Sequence, residues 1–339
     1  MLLPIRHWRT TSAAAIISIL EQTHTHLELL LIGQAELCDL EQQLANAHLN
    51  DKRITLVARK QAGIVGALNT ALSVANGQYI ARMDDDDIAY PQRLTRQLEH
   101  LRRHPEVELC ATKIRFIDHN GTTSTIRQGN RRYQTWLNQL TDPEALALAC
   151  YAENPMPHPT LLAHHRIFKQ LNGYQDCPGP EDHDLVLRAM QQGIKMGKPD
   201  ELLLDWREHP DRLTRTDSRY ARAAFVAGAA HTLSEQLANT NSAEMRAVWI
   251  AGTGSCARQW HDELTQLGVR VLGFIDVARP GPKREKRHKP VITYPQLLEQ
   301  RNPSQLVISA LTSEPAKQAI RVFFNSSAWI EGRDFIMGA

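Results

Sequence analysis

Gln78-Tyr79-Ile80-Ala81-Arg82-Met83-Asp84-Asp85-Asp86-Asp87 sets an apolar run of strand length directly before four carboxylates. Adjacent negative charges repel, so such a tract needs solvent or a cation around it. Along an extended chain successive side chains alternate faces, which points Asp84 and Asp86 the same way and lets them share one hard cation through oxygen ligands. The competing reading is a solvated acidic turn capping a helix that starts near Tyr90, because aspartates favour helix starts. The surrounding sequence has to decide between them.

Toward the N-terminus, strand-like and helix-like stretches alternate. Leu2-Leu3-Pro4-Ile5 reads as the stub of a strand, and Ser12 to Gln22 as a helix whose Ile16, Ile17 and Leu20 share one face. Leu27 to Ile32 has buried-strand length, Leu37 to His48 reads as a polar helix, and Arg53-Ile54-Thr55-Leu56-Val57 as another strand. Gly63 to Ala75 reads as a helix closed by Asn76-Gly77. This alternation predicts an α/β fold with a mostly parallel sheet covered by helices, in which ligands bind beyond the carboxyl ends of the strands. The aspartate tract follows such an end.

Downstream, Pro91 to His104 reads as a helix, and Val107 to Cys110 and Ile114 to Ile117 as strands. Residues 118–145 are polar with few apolar pairs and read as a loop or a poorly packed insertion. The three prolines of Asn154-Pro155-Met156-Pro157-His158-Pro159-Thr160 enforce a stiff, extended segment. Leu171-Asn172-Gly173-Tyr174 ends one helix and Pro180-Glu181-Asp182-His183-Asp184 opens another. Acidic residues in a first helical turn can simply complement the helix dipole. A strand-like Leu202-Leu203-Leu204 leads into Trp206-Arg207-Glu208-His209-Pro210.

An Ala-rich helix from Tyr220 to Leu237 then reaches Asn239-Thr240-Asn241-Ser242, a stretch of linker composition. Beyond it, Val248 to Ala251 reads as a strand, Gly252-Thr253-Gly254 as a turn ahead of a helix that carries Ala257 at a third small position, and Val269 to Ile275 as a strand ending at Asp276. That is a Rossmann-like opening. The expected organisation is therefore a large domain over 1–216, a helix and linker over 217–244, and a smaller Rossmann-like α/β domain over 245–339.

The 339 residues suit two domains, each large enough to bury a core. A net charge of +2 gives no global electrostatic case for nucleic acid. Five cysteines without a CxxC pair or zinc spacing read as reduced thiols in a cytoplasmic protein. Arg6 and Arg9 before Ala13 to Leu20 resemble a signal peptide, but the run is short and closes at Glu21-Gln22, so an amphipathic helix is expected. No stretch is long enough to span a bilayer. Peripheral contact at the inner face of a membrane stays open; the basic loop Lys283 to Lys289 reads first as solvated and second as a contact for anionic lipid or polymer.

Taken in order, "ILEQTHTHLELLLI", "GIVGALNTALSVANGQYIARMDDDD", "HPTLL", "LNGYQDCPGPEDHDLVLRAMQQG" and "WREHPDRLTR" together resemble the family 2 glycosyltransferases, inverting enzymes of the GT-A fold. The resemblance covers roughly Met1 to Arg215. It implies a nucleotide-sugar donor, a divalent Mg or Mn ion, and a glycan or lipid-linked acceptor hydroxyl. The family's metal-binding Asp-x-Asp falls on Asp84 and Asp86, with Asp86 the direct ligand and Asp84 near the ribose or the metal. Its Glu-Asp motif falls on Glu181 and Asp182, with Asp182 as general base. His209 matches a position that contacts the metal or the diphosphate, and Asn69 and Gly63 lie on the helix bordering the nucleotide pocket. The family's usual acidic turn after the second strand is replaced by Gly33-Gln34-Ala35, which leaves Gln34 to hydrogen-bond the base.

The chemistry asks for the same parts. Displacing a nucleoside diphosphate develops negative charge that a cation neutralises, and the incoming hydroxyl must give its proton to a nearby carboxylate. The C-terminal domain resembles the nucleotide-binding-like domain found before some sugar acyltransferases, through Gly252-Thr253-Gly254 and Phe274-Ile275-Asp276. Two further readings stand beside the enzyme: a non-catalytic binding or scaffolding module on a degenerate transferase fold, and an NAD-dependent role for the C-terminal domain. A homo-oligomer also stays open.

Overall fold

The computed structural model describes residues 1–34, 36–177, 179–210, 212–239, 247–277, 285–302 and 304–339. The linker expected at Thr240 to Ser242 and the start of the basic loop at Lys283 and Arg284 lie outside them. The chain divides into two compact units. One comprises Met1–Ala147, Pro155–Cys177 and Asp184–Thr216; the other comprises Leu148–Asn154, Pro178–His183 and Asp217–Ala339.

In the first unit, the strand Leu2–Pro4 pairs in parallel with Leu29–Gly33, which pairs in parallel with Ile54–Ala58. On its other side Leu2 bridges to Arg82, and Met83 N–H donates to Leu2 O at 3.1 Å, so the strand Tyr79–Ala81 continues the series. Strands one to four in chain order thus lie 3-2-1-4, with the direction of winding reversing between Leu2–Pro4 and Tyr79–Ala81. Such a reversal opens a crevice at the carboxyl ends of the two strands. Leu162–His164 then pairs antiparallel with both Tyr79–Ala81 and Val107–Cys110, and Lys195–Gly197 adds in parallel. A separate three-stranded sheet sets Leu202–Arg207 between Ile88–Ala89 and Lys113–Ile117.

The core forms where the apolar faces foreseen in the sequence meet. Leu3, Ile16, Ile19, Leu29, Leu31 and Met83 are buried together, and each fully buried aliphatic side chain contributes about 1.5–3 kcal/mol. A carboxylate at Leu31 would leave a charge without a partner in this layer and break the unit.

Two expectations are corrected. The aspartate tract does not cap a helix: it joins the strand Tyr79–Ala81 to Ile88–Ala89, and the helix Arg93–Arg103 begins later, after Gln92, with no side-chain cap. Residues 118–145 hold the helix Gln128–Gln139 and the start of Pro143–Ala149. Leu137 anchors the first of these in the core, while Tyr133 and Trp136 stack at 5.6 Å, one helical turn apart. The row of near-parallel rings continues through Phe116 to Trp206. A single apolar stripe in a polar helix is enough when it is aromatic.

The second unit is Rossmann-like. Its parallel strands Lys289–Ile292, Val271–Ile275, Ala247–Ala251, Gln305–Ser309 and Phe335–Met337 lie side by side in that order, 3-2-1-4-5 by chain position. The helix Ser255–Gln266 buries Cys256, Ala257, Trp260 and Leu264 against the sheet and the helix Arg222–Asn239. Gly252 turns at φ +103°, a conformation only glycine adopts easily, and a side chain there would also press on Leu311. The described part of the basic loop is a hairpin of Glu285–Lys286 with Lys289–Ile292. Among the described residues, no helix is long and apolar enough to cross a membrane.

Candidate active site

At the carboxyl end of the fourth strand of the first unit, the chain turns sharply at Asp85-Asp86. This corrects the extended-chain geometry expected for the tract. Asp87 N–H folds back toward Asp84 O at 3.5 Å, so the carboxylates of Asp84, Asp86 and Asp87 converge with oxygens within 4.8 Å of one another. Asp85 points elsewhere and accepts from Ser12 Oγ at 3.1 Å.

Each carboxylate has its own surroundings. Asp84 is gripped by both terminal nitrogens of Arg82, a buried arginine. Asp86 lies 2.7 Å from His209 Nε2 and 4.0 Å from Arg9. Burial works against its charge, but the hydrogen bond with His209 and the charges of His209, Arg212 and Arg9 prevail and hold it below the usual carboxylate value. Asp87 is fully buried; burial and the neighbouring charges of Asp86 and Asp84 push it well above that value, against a hydrogen bond from Arg207 N–H at 2.8 Å. Burial, with Asp86 and Asp84, also pushes Asp85 up to about 7.

His209 Nε2 is shared, since Arg9 Nη1 also approaches it at 3.0 Å. One ring nitrogen either donates to Asp86 or accepts from Arg9. The next strand supplies the second wall. Arg207 spends its guanidinium on the carbonyls of Asp86, Asp118 and His119, and Glu208 is clamped by Arg212 and Arg215. Arg212 also lies over the Trp206 ring, 4.7 Å from its centroid.

The residues fit a hard divalent cation. The donor set is all oxygen and anionic, the chemistry that suits Mg or Mn. Among the described residues, Asp87 Oδ2 is a buried acceptor with no hydrogen-bond partner. Asp87, Arg82 and Arg9 escaped sequence reasoning. An arginine inside an otherwise apolar strand two residues before Asp84 was the available signal for Arg82; nothing local marked Asp87 once the tract was taken as extended.

The other residues foreseen from the sequence are placed as follows. Gln34 follows the strand Leu29–Gly33 at the same carboxyl edge, where its amide donates to Arg6 O at 3.1 Å. Gly63 starts its helix with φ +83° and open space around it. Asn69 faces inward: its side chain donates to Tyr174 O at 2.8 Å and accepts from Tyr174 N–H at 2.9 Å, a two-point clamp. Tyr174 Oη in turn meets His158 Nε2 at 3.0 Å, and burial holds His158 neutral. Asn69 thus ties its helix to the Tyr174 backbone.

Glu181 and Asp182 belong to the second unit. Glu181 is buried and accepts from Tyr220 Oη at 2.8 Å. Asp182 accepts from Asn154 Nδ2 at 2.9 Å on one oxygen and from His183 N–H at 2.9 Å on the other. His183 donates through Nε2 to Cys150 O at 2.7 Å, and burial lowers it to about 4, which keeps it neutral. In the Rossmann-like sheet, Asp276 accepts from Thr253 Oγ1 and Val277 N–H, each at 2.8 Å, so both oxygens of the carboxylate that would meet a ribose already have protein donors.

Residues 11–153 match the glycosyl transferase family 2 profile. Over those residues the chain is similar to the family 2 glycosyltransferases. It is 29% identical over 228 residues to the putative glycosyltransferase EpsE of Bacillus subtilis, covering 65% of this chain and 77% of that one. It is 28% identical over 213 residues to the O-antigen biosynthesis glycosyltransferase WbnJ of Escherichia coli, covering 62% and 79%. Among solved structures, S. aureus TarS 1–349 in complex with UDP-GlcNAc superposes with a TM-score of 0.52 at 13% identity, over 71% of this chain and 66% of that one. That likeness shows the GT-A fold. The protein is a glycosyltransferase, and its relatives favour the enzyme over the non-catalytic module.

Proposed function

We propose that the protein transfers a sugar from a nucleotide-sugar donor to an acceptor hydroxyl, with inversion and with a divalent metal, in the synthesis of a surface polysaccharide or related glycan. The observation that carries this reading is the convergence of Asp84, Asp86, Asp87 and His209 at the strand crevice of a family 2 domain. Asp86 with Asp87 and His209 would hold Mg or Mn, and Asp84, already paired with Arg82, would serve the metal or the ribose. When bound, the cation neutralises charge on the departing diphosphate.

The remaining chemistry belongs to side chains. Asp182 takes the proton of the acceptor hydroxyl as that oxygen attacks the anomeric carbon, and a single displacement inverts the configuration. Glu181, held by Tyr220, braces the start of that helix. Gln34 offers a neutral hydrogen bond to the base in place of a carboxylate. Losing the charged contact lowers donor affinity by about 1.5–3 kcal/mol. Relatives named for O-antigen and amylovoran biosynthesis support a glycan or lipid-linked acceptor, and we place the reaction on the cytoplasmic side of a membrane.

We assign residues 1–216 to the transferase domain, although its segments Leu148–Asn154 and Pro178–His183 group with the second compact unit, 217–244 to a helix and linker, and 245–339 to a Rossmann-like domain with a docking or dimerisation role. The last is akin to the domain preceding some sugar acyltransferases. The test is to offer purified protein a panel of nucleotide sugars, UDP-GlcNAc and GDP-mannose included, with Mn or Mg, and to measure release of the nucleoside diphosphate. We expect turnover of at least one donor, abolished by EDTA and by Asp182→Asn. Full activity of Asp182→Asn would remove the assigned base.

A further inference from the structure

Asp182 does not stand alone at the start of its helix. Asn154, which is 5% exposed, aims its side-chain amide at Asp182 Oδ2 from 2.9 Å, while His183 N–H holds Oδ1 at the same distance. Two donors on separate oxygens fix the plane of the carboxylate, and both stabilise its ionised form. We propose that Asn154 is a positioning residue for the catalytic base, holding Asp182 in the orientation and charge state needed to accept a proton. The inference rests on the assignment of Asp182 as base.

The local sequence makes Asn154 suited to the task. Pro155 follows it and restricts its backbone to extended conformations, so the amide is presented from a stiff stem. Glu153 precedes it and is half-buried. Burial chiefly, with the charge of Asp182 adding and those of Arg222 and Lys317 opposing, raises Glu153 to about 7. A neutral amide beside Asp182 therefore avoids crowding a further charge into a place already short of water. An aspartate of the same shape would do the opposite. The segment Leu148–Asn154 groups with Pro178–His183 in one compact unit, so the pair is held within a single body.

The test is the pH profile of kcat, read by nucleoside diphosphate release from the best donor of the panel, for wild type, Asn154→Ala, Asn154→Asp and Asp182→Asn. Removing the donor should shift the acid limb for Asn154→Ala up by about one pH unit and lower kcat near neutrality about tenfold, with the donor KM within about twofold. Asn154→Asp, which adds a carboxylate, should move the limb further. Thermal melts accompany each variant, and Asn154→Ser, which keeps a small polar group, carries the test if Asn154→Ala does not fold. A fall in melting temperature with the acid limb unmoved would reduce Asn154 to a structural residue and overturn the inference. If Asp182→Asn keeps wild-type turnover, the base assignment fails first; if it is inactive while Asn154→Ala keeps the wild-type limb, only this inference fails.

Discussion

His209 Nε2 lies 2.7 Å from Asp86 Oδ2, although 123 residues separate the two in the chain. The contact brings the loop after the strand Leu202–Arg207 onto the turn after Tyr79–Ala81, and it spends on a histidine the carboxylate that the sequence marks most strongly for a metal. If the pair is a ligand set, a cation bound there should stabilise the folded protein. Saturation at a hundredfold over Kd should give about 2.7 kcal/mol. Thermal melts in EDTA and in Mn should differ for wild type and coincide for Asp86→Asn and His209→Ala. An equal Mn shift in Asp86→Asn would move the metal elsewhere.

Beneath the tract, Arg93 is completely buried, with Nη2 on Arg82 O at 2.6 Å and Nε on Gln97 Oε1 at 3.2 Å. Burial pulls its pKa down to about 9, and the charge of Asp87 works to raise it. Removing the guanidinium leaves Arg82 O and Gln97 Oε1 buried without their donor, so Arg93→Ala should lose about 2–6 kcal/mol in urea unfolding. A loss within the scatter of surface variants would show that the buried charge is dispensable.

Asn69→Ala separates support from ligand contact. Both hydrogen bonds to the Tyr174 backbone vanish, at a cost of about 2–3 kcal/mol, while the Mn-dependent gain in Tm should persist because the aspartates are untouched. Loss of the metal response together with stability would mean that the helix Gly63–Val74 shapes the cation site more directly than its hydrogen bonds indicate.

Glu153 should leave a signature in stability against pH. Its folded pKa is about 7 against an ordinary 4.5, so between those values the folded chain holds a proton that the unfolded chain has released. Stability then falls as pH rises through that window and levels off above it. The full span is about 3 kcal/mol. Glu153→Gln, which cannot ionise, should flatten the decline and be the more stable protein at pH 8; parallel curves for the two proteins would contradict the burial seen for this group.

What the sequence made legible was the periodic part. Alternating strand and helix signals placed the carboxyl end of Tyr79–Ala81 correctly, and with it the tract, because burial patterns repeat along the chain. Turn geometry was not legible: four consecutive aspartates carry no signal for where the strand stops, so Asp87 was missed. Long-range pairings were equally silent, since nothing near Arg9, Arg82 or Asn154 tells which carboxylate each will meet. The helix Gln128–Gln139 failed for another reason, as its anchoring is aromatic and sparse.

The ring row from Trp136 through Tyr133 and Phe116 to Trp206 ends under the guanidinium of Arg212, which also pairs with Glu208, next to His209. An indole lying beneath a cation emits according to where that cation rests. A change in where Arg212 rests therefore changes the light from Trp206, one of the six tryptophans of the chain.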